Sequence, residues 1–177
     1  MIMCIVVDTN VVASVFNPAS ANHDEFEPVF RWILRGKGKL VYGGSTYWRE
    51  VFERMPKYGA LILELKRGGK CVVLDRNAVD EAERRVQDAE PSADFDDAHL
   101  VAIFDVSGCM LLCSDDARAD RFVKDRELYE RRTPPRIYRL AEHAHLLCDD
   151  NIAACCKPVE RLAGVARAEI MGMLEHE

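Results

Sequence analysis

The sequence has no long apolar run. None of its segments approaches the roughly 20 consecutive apolar residues that a helix needs to cross a bilayer. The start of the chain has no basic leader, and its apolar run, residues 2–7, is too short for a signal peptide. The sequence therefore predicts a cytoplasmic protein that does not enter a membrane.

An excess of basic residues is also missing. The chain has 24 Lys and Arg against 30 Asp and Glu, which gives a formal net charge of −6. Proteins that coat nucleic acid through bulk electrostatics usually have a strongly basic balance. The composition argues against that class, so any contact with nucleic acid must be local.

The cysteines do not form a recognisable framework. There are seven, an odd number, and several lie inside apolar, strand-like runs. This placement is typical of reduced, buried thiols rather than of a disulfide scaffold. An alternative is a structural zinc site formed by His143, His145 and Cys148 with Cys155 and Cys156, although the spacing matches no common zinc pattern.

What the sequence does contain is enough apolar material for one core, with 177 residues of which 49% are apolar. Short β-rich runs alternate with helical segments and do not themselves alternate polar and apolar residues, as in strands that are buried on both faces. These runs are 2–7, 40–42, 71–74, 110–113 and 137–140.

That order predicts a three-layer α/β/α fold around a central parallel sheet of about five strands. We expect residues 1–140 to form this domain. Residues 141–177 should add a C-terminal helical extension packed on the same domain, because apolar residues within 158–174 recur at mostly helical intervals.

Four acidic residues occupy positions that such a fold would bring to one edge of the sheet, where parallel α/β proteins bind ligands. They are Asp8 after the first strand, Glu50 in a helical segment, Asp97 at the start of another helix, and Asp115 after a later strand. A buried carboxylate is costly unless a cation or hydrogen-bond donors compensate it. The pattern therefore predicts a divalent-metal site.

Each acid also has an ordinary structural explanation. Asp8 and Asp115 could be helix N-caps, and Glu50 could be a solvated helix residue. Asp97 could be a first-turn acid favoured by the helix dipole. Asp96 and Asp116 are the immediate neighbours of Asp97 and Asp115, so the sequence leaves open which member of each pair faces the site.

Four short blocks contain these acids in a fixed order. They are Val-Val-Asp-Thr-Asn at 6–10, Ser-Thr-Tyr-Trp-Arg-Glu at 45–50, Asp-Ala-His-Leu-Val-Ala at 97–102 and Leu-Leu-Cys-Ser-Asp at 111–115. Together they resemble the four blocks of PIN-domain ribonucleases, including the VapC-type toxins, over roughly residues 2–140. In the family the fourth block often has threonine where this chain has Cys113.

The resemblance implies a metal-dependent endoribonuclease that leaves a 5′-phosphate and a 3′-hydroxyl. Its implied catalytic residues are Asp8, Glu50, Asp97 and Asp115, of which Asp8, Asp97 and Asp115 would bind Mg²⁺ or Mn²⁺, with Thr9, Asn10 and Ser114 as supporting polar groups. The implied partners are an RNA substrate, a small antitoxin protein and a second copy in a homodimer.

Basic and aromatic residues near the predicted site suggest contacts with RNA. Arg49 and Arg118 could pair with phosphates. Tyr47 and Trp48 could stack on bases, although core packing is the expectation for Trp48. His99 receives no role, since a lone helical histidine is more often structural.

Two other functions fit parts of the pattern. Cys113 and the ambiguous acidic pairs are compatible with a catalytically silent PIN-fold module that binds protein or RNA. A haloacid-dehalogenase-like phosphatase would use Asp8 as its nucleophile, but it needs a second Asp two residues later, where this chain has Asn10.

Overall fold

The computed structural model describes residues 4–149, 156–158 and 161–175. The strands are β1 (Val6–Val7), β2 (Leu40–Tyr42), β3 (Cys71–Val73), β4 (Leu111–Cys113) and β5 (Arg136–Tyr138). The helices are α1 (Val12–Phe16), α2 (His23–Arg35), α3 (Ser45–Trp48), α4 (Pro56–Arg67), α5 (Arg76–Ala89), α6 (Ala98–Ser107), α7 (Asp120–Val123) and α8 (Gly164–Glu175). Short 3₁₀ turns cover Thr9–Val11, Arg126–Leu128 and Ala141–Leu146.

All strand pairs are parallel, but they belong to two sheets. One sheet has the order β1-β4-β5 and the other pairs β2 with β3. A single bridge between Ile5 and Leu40 links them, and the Val41 N–H donates to the Ile5 carbonyl at 2.8 Å. The α/β class with parallel strands is therefore confirmed.

The prediction of one continuous sheet of about five strands is wrong. Among the residues that the structure describes, one bridge, between Ile5 just before β1 and Leu40 of β2, joins the two sheets, which is too little for a continuous ladder. The carboxyl ends of β1 and β4 still lie side by side, because Val7 pairs with Cys113. Asp8 and Ser114 follow these two residues and so emerge next to each other.

The two acidic pairs lie outside the helices that follow them. Residues 94–97 precede α6, since a turn closed by the Phe95 N–H and the Ser92 carbonyl follows Pro91, so Asp97 is not a first-turn acid of that helix. After β4 the chain does not enter a helix at once; α7 begins only at Asp120. Both acidic pairs therefore lie in loops.

The core is formed by the strands and the inner faces of the helices. α6 is buried on nearly all sides, since every residue from 98 to 104 is buried. In the C-terminal part, α8 packs against α4 and buries Ile170 and Leu174. No helix in the described ranges has the length and apolar character needed to span a membrane.

Two cysteines behave differently from the sequence prediction. Cys4, which precedes β1, forms a disulfide with Cys156, so the expectation of reduced thiols throughout is wrong for this pair. Cys71, Cys109 and Cys113 lie in or beside the strands as reduced thiols, as expected.

Candidate functional site

Asp8 is the most deeply buried acid at the carboxyl ends of the strands, with 2% of its surface exposed. The Ser114 hydroxyl donates to its Oδ2 at 2.7 Å, and the Asn10 backbone N–H donates more weakly to Oδ1 at 3.4 Å. Burial raises the pKa of Asp8 to about 6, an effect that the Ser114 hydrogen bond opposes. Asp8 is thus both a cap of the following turn and a poorly compensated carboxylate.

Glu50 reaches the same region from a widened helical turn. α3 is continued by a π-helical turn, Arg49–Glu53, in which the Arg54 N–H donates to the Arg49 carbonyl at 3.1 Å. Such turns are rare and occur often at functional sites. Glu50 Oε2 accepts a hydrogen bond from the Thr9 hydroxyl at 2.8 Å.

Two contacts fix this segment against the sheet and a neighbouring helix. The buried Tyr47 hydroxyl donates to the Val7 carbonyl at 2.9 Å, which ties α3 to the end of β1. Gly44 is the N-cap of α3; its φ of 82° is left-handed, and the Ser45 N–H donates to Asp80 Oδ1 at 2.6 Å.

Asp97 is the N-cap residue of α6, but its side chain makes no capping hydrogen bond. Burial raises its pKa to about 7. The carboxylates that raise it further are, in decreasing order, Asp8, Asp96, Asp116 and Glu50. Asp97 therefore lies at the centre of a group of negative charges, and in the described part of the chain it forms no ion pair.

The acidic pair after β4 divides in an unexpected way. Asp115 is exposed, and its charge raises the pKa of Cys113 and of Arg139. The charge of Asp116 raises the pKa of Asp8 and of Asp97. Asp116 is therefore the member of this pair with the stronger electrostatic effect on Asp8 and Asp97.

The turn after β4 explains this division. The Ser114 hydroxyl accepts the Asp116 N–H at 3.1 Å, while Arg139 Nε donates to the Ser114 carbonyl at 3.3 Å. Ser114 thereby supports both Asp8 and the loop, as a supporting group should. Thr9 contacts Glu50, but Asn10 contributes only its backbone to Asp8.

A cleft of about 610 Å³ opens beside this group. Its charged lining residues are Asp94, Asp96, Asp116, Arg118 and Arg121. Arg118 is strongly exposed and forms an ion pair with Asp116 at 3.0 Å, and this guanidinium lowers the pKa of Asp116. The cleft thus has acidic and basic walls.

The other predicted RNA contacts lie in α3 and the turn that follows it. Arg49 is exposed. Tyr47 is buried and cannot stack on a base, so that alternative is wrong. Trp48 is 37% exposed, contrary to the expected core position; its ring stacks on Phe52 at 4.1 Å and Arg76 lies 5.6 Å from the ring centre.

His99 is the residue whose place the sequence analysis missed. It is buried beside Glu50, with Nε2 3.7 Å from Glu50 Oε2. Burial lowers the pKa of His99, and the charge of Glu50 opposes that shift. The sequence could have indicated its burial, because His99 lies in a segment that is apolar on all helical faces, where a polar side chain must be buried.

The zinc alternative is not supported by the histidine contacts. His143 Nδ1 accepts backbone N–H groups of Arg139 and Leu140 at 3.1 and 3.3 Å, and His145 Nδ1 lies 3.1 Å from the Glu142 carbonyl. Cys148 is a free thiol, and Cys155 lies outside the described residues. These histidines have ordinary structural partners.

The acidic group fits a divalent cation by its chemistry. Asp8 and Asp97 offer hard carboxylate oxygens, and the raised pKa of each, to about 6 and about 7, indicates uncompensated negative charge. Across the described ranges, however, no three His, Cys, Asp or Glu side chains converge closely enough to hold a metal ion in the present arrangement.

Comparison with known proteins adds no family to this description. No protein-family model, no curated protein and no solved structure gave a significant match to the chain.

Proposed function

We propose that this protein is a divalent-metal-dependent endoribonuclease of the PIN type, which hydrolyses phosphodiester bonds in RNA. The main supporting observation is the environment of Asp97, whose pKa burial and four acidic neighbours raise to about 7. Carboxylates kept together in this way destabilise a fold unless a ligand compensates them. A divalent ion is the ligand that matches hard oxygen donors.

In this proposal Asp8, Asp97 and Asp116 hold the ion. When bound, Mg²⁺ or Mn²⁺ neutralises phosphate charge and makes water a better nucleophile. Ser114 orients the Asp8 carboxylate through its hydroxyl, and Glu50 orients the attacking water by accepting its hydrogen bond. Asp116 takes the place of Asp115 in this scheme because its charge is among the leading causes that raise the pKa of Asp8 and of Asp97.

Arg118 links substrate binding to this rearrangement. The Arg118 side chain is strongly exposed, and solvent weakens an ion pair that has such an exposed member. An RNA phosphate can therefore replace Asp116 as the partner of Arg118 at small cost, since arginine binds phosphate through paired N–H groups. The exchange would release the Asp116 carboxylate for the cation. Arg49 and Trp48 offer further exposed contacts.

The same ion pair favours a second candidate function. If Arg118 stays on Asp116, the acidic group is partly neutralised without a metal, as expected for a catalytically silent PIN-fold module. Cys113 at the position of the family's threonine points the same way. Metal binding separates the two candidates.

Thermal unfolding with and without Mn²⁺ tests metal binding. At about 100 times the dissociation constant, binding to the native state stabilises by about 2.7 kcal/mol, or roughly 5–10 °C for a chain of this size. We expect this shift for the wild type and its loss in Asp8→Asn. Asp88→Asn, an exposed acid on α5, is the matched control and should respond as the wild type does.

RNA cleavage tests the reaction itself. Purified wild-type protein with Mn²⁺ should cut single-stranded or structured RNA and leave a 5′-phosphate and a 3′-hydroxyl, whereas Asp8→Asn should lose activity by roughly 10²–10⁴-fold. A 3′-phosphate product would exclude this mechanism. Absence of both cleavage and a Mn²⁺-dependent shift would favour the silent module.

A further inference from the structure

The His99 side chain is buried without the partners that a buried imidazole normally has. Only 2% of His99 is exposed, and neither ring nitrogen makes a hydrogen bond of ordinary geometry within the described residues; the Asp96 backbone is a nearby acceptor that acts to raise the pKa of the ring. An unpaired buried polar group costs about 1–3 kcal/mol. Such a group needs an explanation, because nearly all buried polar atoms in proteins are paired.

His23 provides the contrast. It is also buried, but its Nδ1 lies 2.9 Å from the Ser14 carbonyl, an ordinary hydrogen-bond distance. The fold can therefore accommodate a buried histidine with a partner. At His99 the nearby acceptors are the Asp96 backbone and the Glu50 carboxylate, whose Oε2 lies 3.7 Å from Nε2, just beyond hydrogen-bond distance.

Both side chains that approach Glu50 do so at the same oxygen. The Thr9 hydroxyl donates to Oε2 at 2.8 Å, and His99 Nε2 faces this same Oε2. A small movement of the carboxylate would bring the imidazole N–H within bonding distance while the Thr9 contact is kept. Two donors on one oxygen would fix the plane of the carboxylate.

The backbone of Glu50 makes such support useful. Glu50 lies in the π-helical turn Arg49–Glu53, where the regular helical spacing of side chains is interrupted. Tyr47 holds the preceding turn to β1, and within the described residues the side chains in contact with the Glu50 carboxylate are Thr9 and His99. Its orientation therefore depends on Thr9 and on His99.

We propose that His99 is a positioning residue for Glu50: its Nε2–H donates to Oε2 when the acidic site is occupied, so that Thr9 and His99 fix one oxygen and direct Oε1 to the attacking water. The catalytic consequence rests on the proposed function. The contact itself does not, and it can be measured in a protein that cleaves nothing.

Three substitutions at one position test the contact. His99→Gln places an amide N–H near the position of Nε2, His99→Asn places one near Nδ1, and His99→Leu removes both donors at similar volume. We expect His99→Leu and His99→Asn to lower kcat about 10–100-fold, as is typical when an outer-shell partner is lost. KM should change by less than about 2-fold, and His99→Gln should retain most of kcat.

The His99→Leu substitution should lower kcat without lowering the melting temperature. His99→Leu replaces an unpaired polar group by an apolar one, so its melting temperature should equal or exceed that of the wild type. His23→Leu is the matched control: it should lower the melting temperature because it removes a paired ring, and it should leave kcat unchanged. A lower melting temperature with unchanged kcat in His99→Leu would overturn the proposal.

Nitrogen-15 NMR of the histidine rings gives a result that is independent of cleavage. In the metal-free protein Nε2 should be the protonated nitrogen of His99, and its resonance should shift on addition of Mg²⁺ in the wild type but not in Glu50→Ala. Protonation at Nδ1 alone would overturn the inference. If the wild type cleaves no RNA but the resonance shifts, the proposed function fails and the His99 contact stands. If RNA is cleaved and His99→Leu keeps its kcat, the proposed function stands and the role of His99 fails.

Discussion

Buried charged side chains at the two ends of the parallel strands have different hydrogen-bond partners. At the amino ends, Lys39 precedes β2 and Lys70 precedes β3; Lys39 Nζ donates to the Pro158 carbonyl at 2.5 Å and Lys70 Nζ to the Gly36 carbonyl at 3.0 Å. At the carboxyl ends, Asp8 has only a hydroxyl and one backbone N–H as donors. The amino ends are compensated by the protein itself, and the carboxyl ends are not.

Desolvation shifts pKa values at both ends of the strands, upwards for the acids and downwards for the lysine. Desolvation raises the pKa of Asp97 to about 7 and lowers the pKa of Lys70 to about 8, because burial disfavours the charged form in each case. At the carboxyl ends, neighbouring charges of the same sign add to the effect. This difference suggests that the lysines anchor the chain and that the carboxylates await a ligand.

The largest expected effect separates two adjacent acids at the carboxyl ends. Asp116→Asn removes the charge that acts on Asp8 and Asp97, so we expect RNA cleavage to fall by about 10–100-fold and the Mn²⁺-dependent stabilisation to decrease. Asp115→Asn, one residue earlier and exposed, is the matched control and should change activity by less than about 3-fold. Steady-state kinetics with a defined RNA measures both.

Equal losses in the two variants would show that the loop after β4 moves when the site is occupied. A large loss in Asp115→Asn alone would restore the assignment made from the sequence and remove Asp116 from the site.

A smaller effect is expected in the pH dependence of stability at the carboxyl ends. In metal-free protein, Asp8 and Asp97 bind their protons more tightly in the native state than in the unfolded chain, since their pKa values are raised to about 6 and about 7. This contribution favours the native state at low pH and is lost as the pH rises from the ordinary aspartate pKa through about 7. Denaturant unfolding between about pH 4 and pH 8 measures it.

Asp97→Asn should flatten this slope and be more stable than the wild type at pH 8 without metal. Asp88→Asn on the exposed face of α5 should keep the wild-type slope. If Asp97→Asn has the wild-type slope as well, Asp97 does not experience the crowded charge that the proposed metal site requires.

The smallest effect is expected at the amino ends and in the opposite pH range. The pKa of Lys70 is lowered to about 8, so between about pH 8 and pH 10 the unfolded chain binds more protons and native stability rises with pH, by roughly 1–2 kcal/mol. Lys70→Met should lose this rise and leave RNA cleavage unchanged. A loss of cleavage in this variant would remove the functional distinction between the two ends.

Strands and helices could be predicted where the signal came from neighbouring residues in the sequence. β2 has the predicted bounds because an apolar run, Leu40–Tyr42, lies between glycine-containing turns. The division into two sheets was not predictable from the sequence, because it depends on how many residues at the start of β1 pair with β2. The exposure of Trp48 was likewise missed, because the turn that contains its stacking partner Phe52 is wider than an α-helix.

The candidate site was predictable in part. Asp8, Glu50 and Asp97 could be selected by their place after strands or at helix starts, and the structure brings their charges together. The choice between Asp115 and Asp116 depends on the hydrogen bond from the Asp116 N–H to Ser114 and on Arg139, which is distant in sequence. His99 was missed because its importance lies in a tertiary neighbour, Glu50.

The wide turn Arg49–Glu53 makes the position of Glu50 sensitive to chain length. A π-helical turn contains one residue more than an α-helical turn. Deletion of one residue before Glu50 would restore the regular period and rotate the carboxylate by about 100° around the helix axis, away from Thr9. The segment should therefore accept many side-chain replacements at Glu53, which is exposed, but no change in residue number.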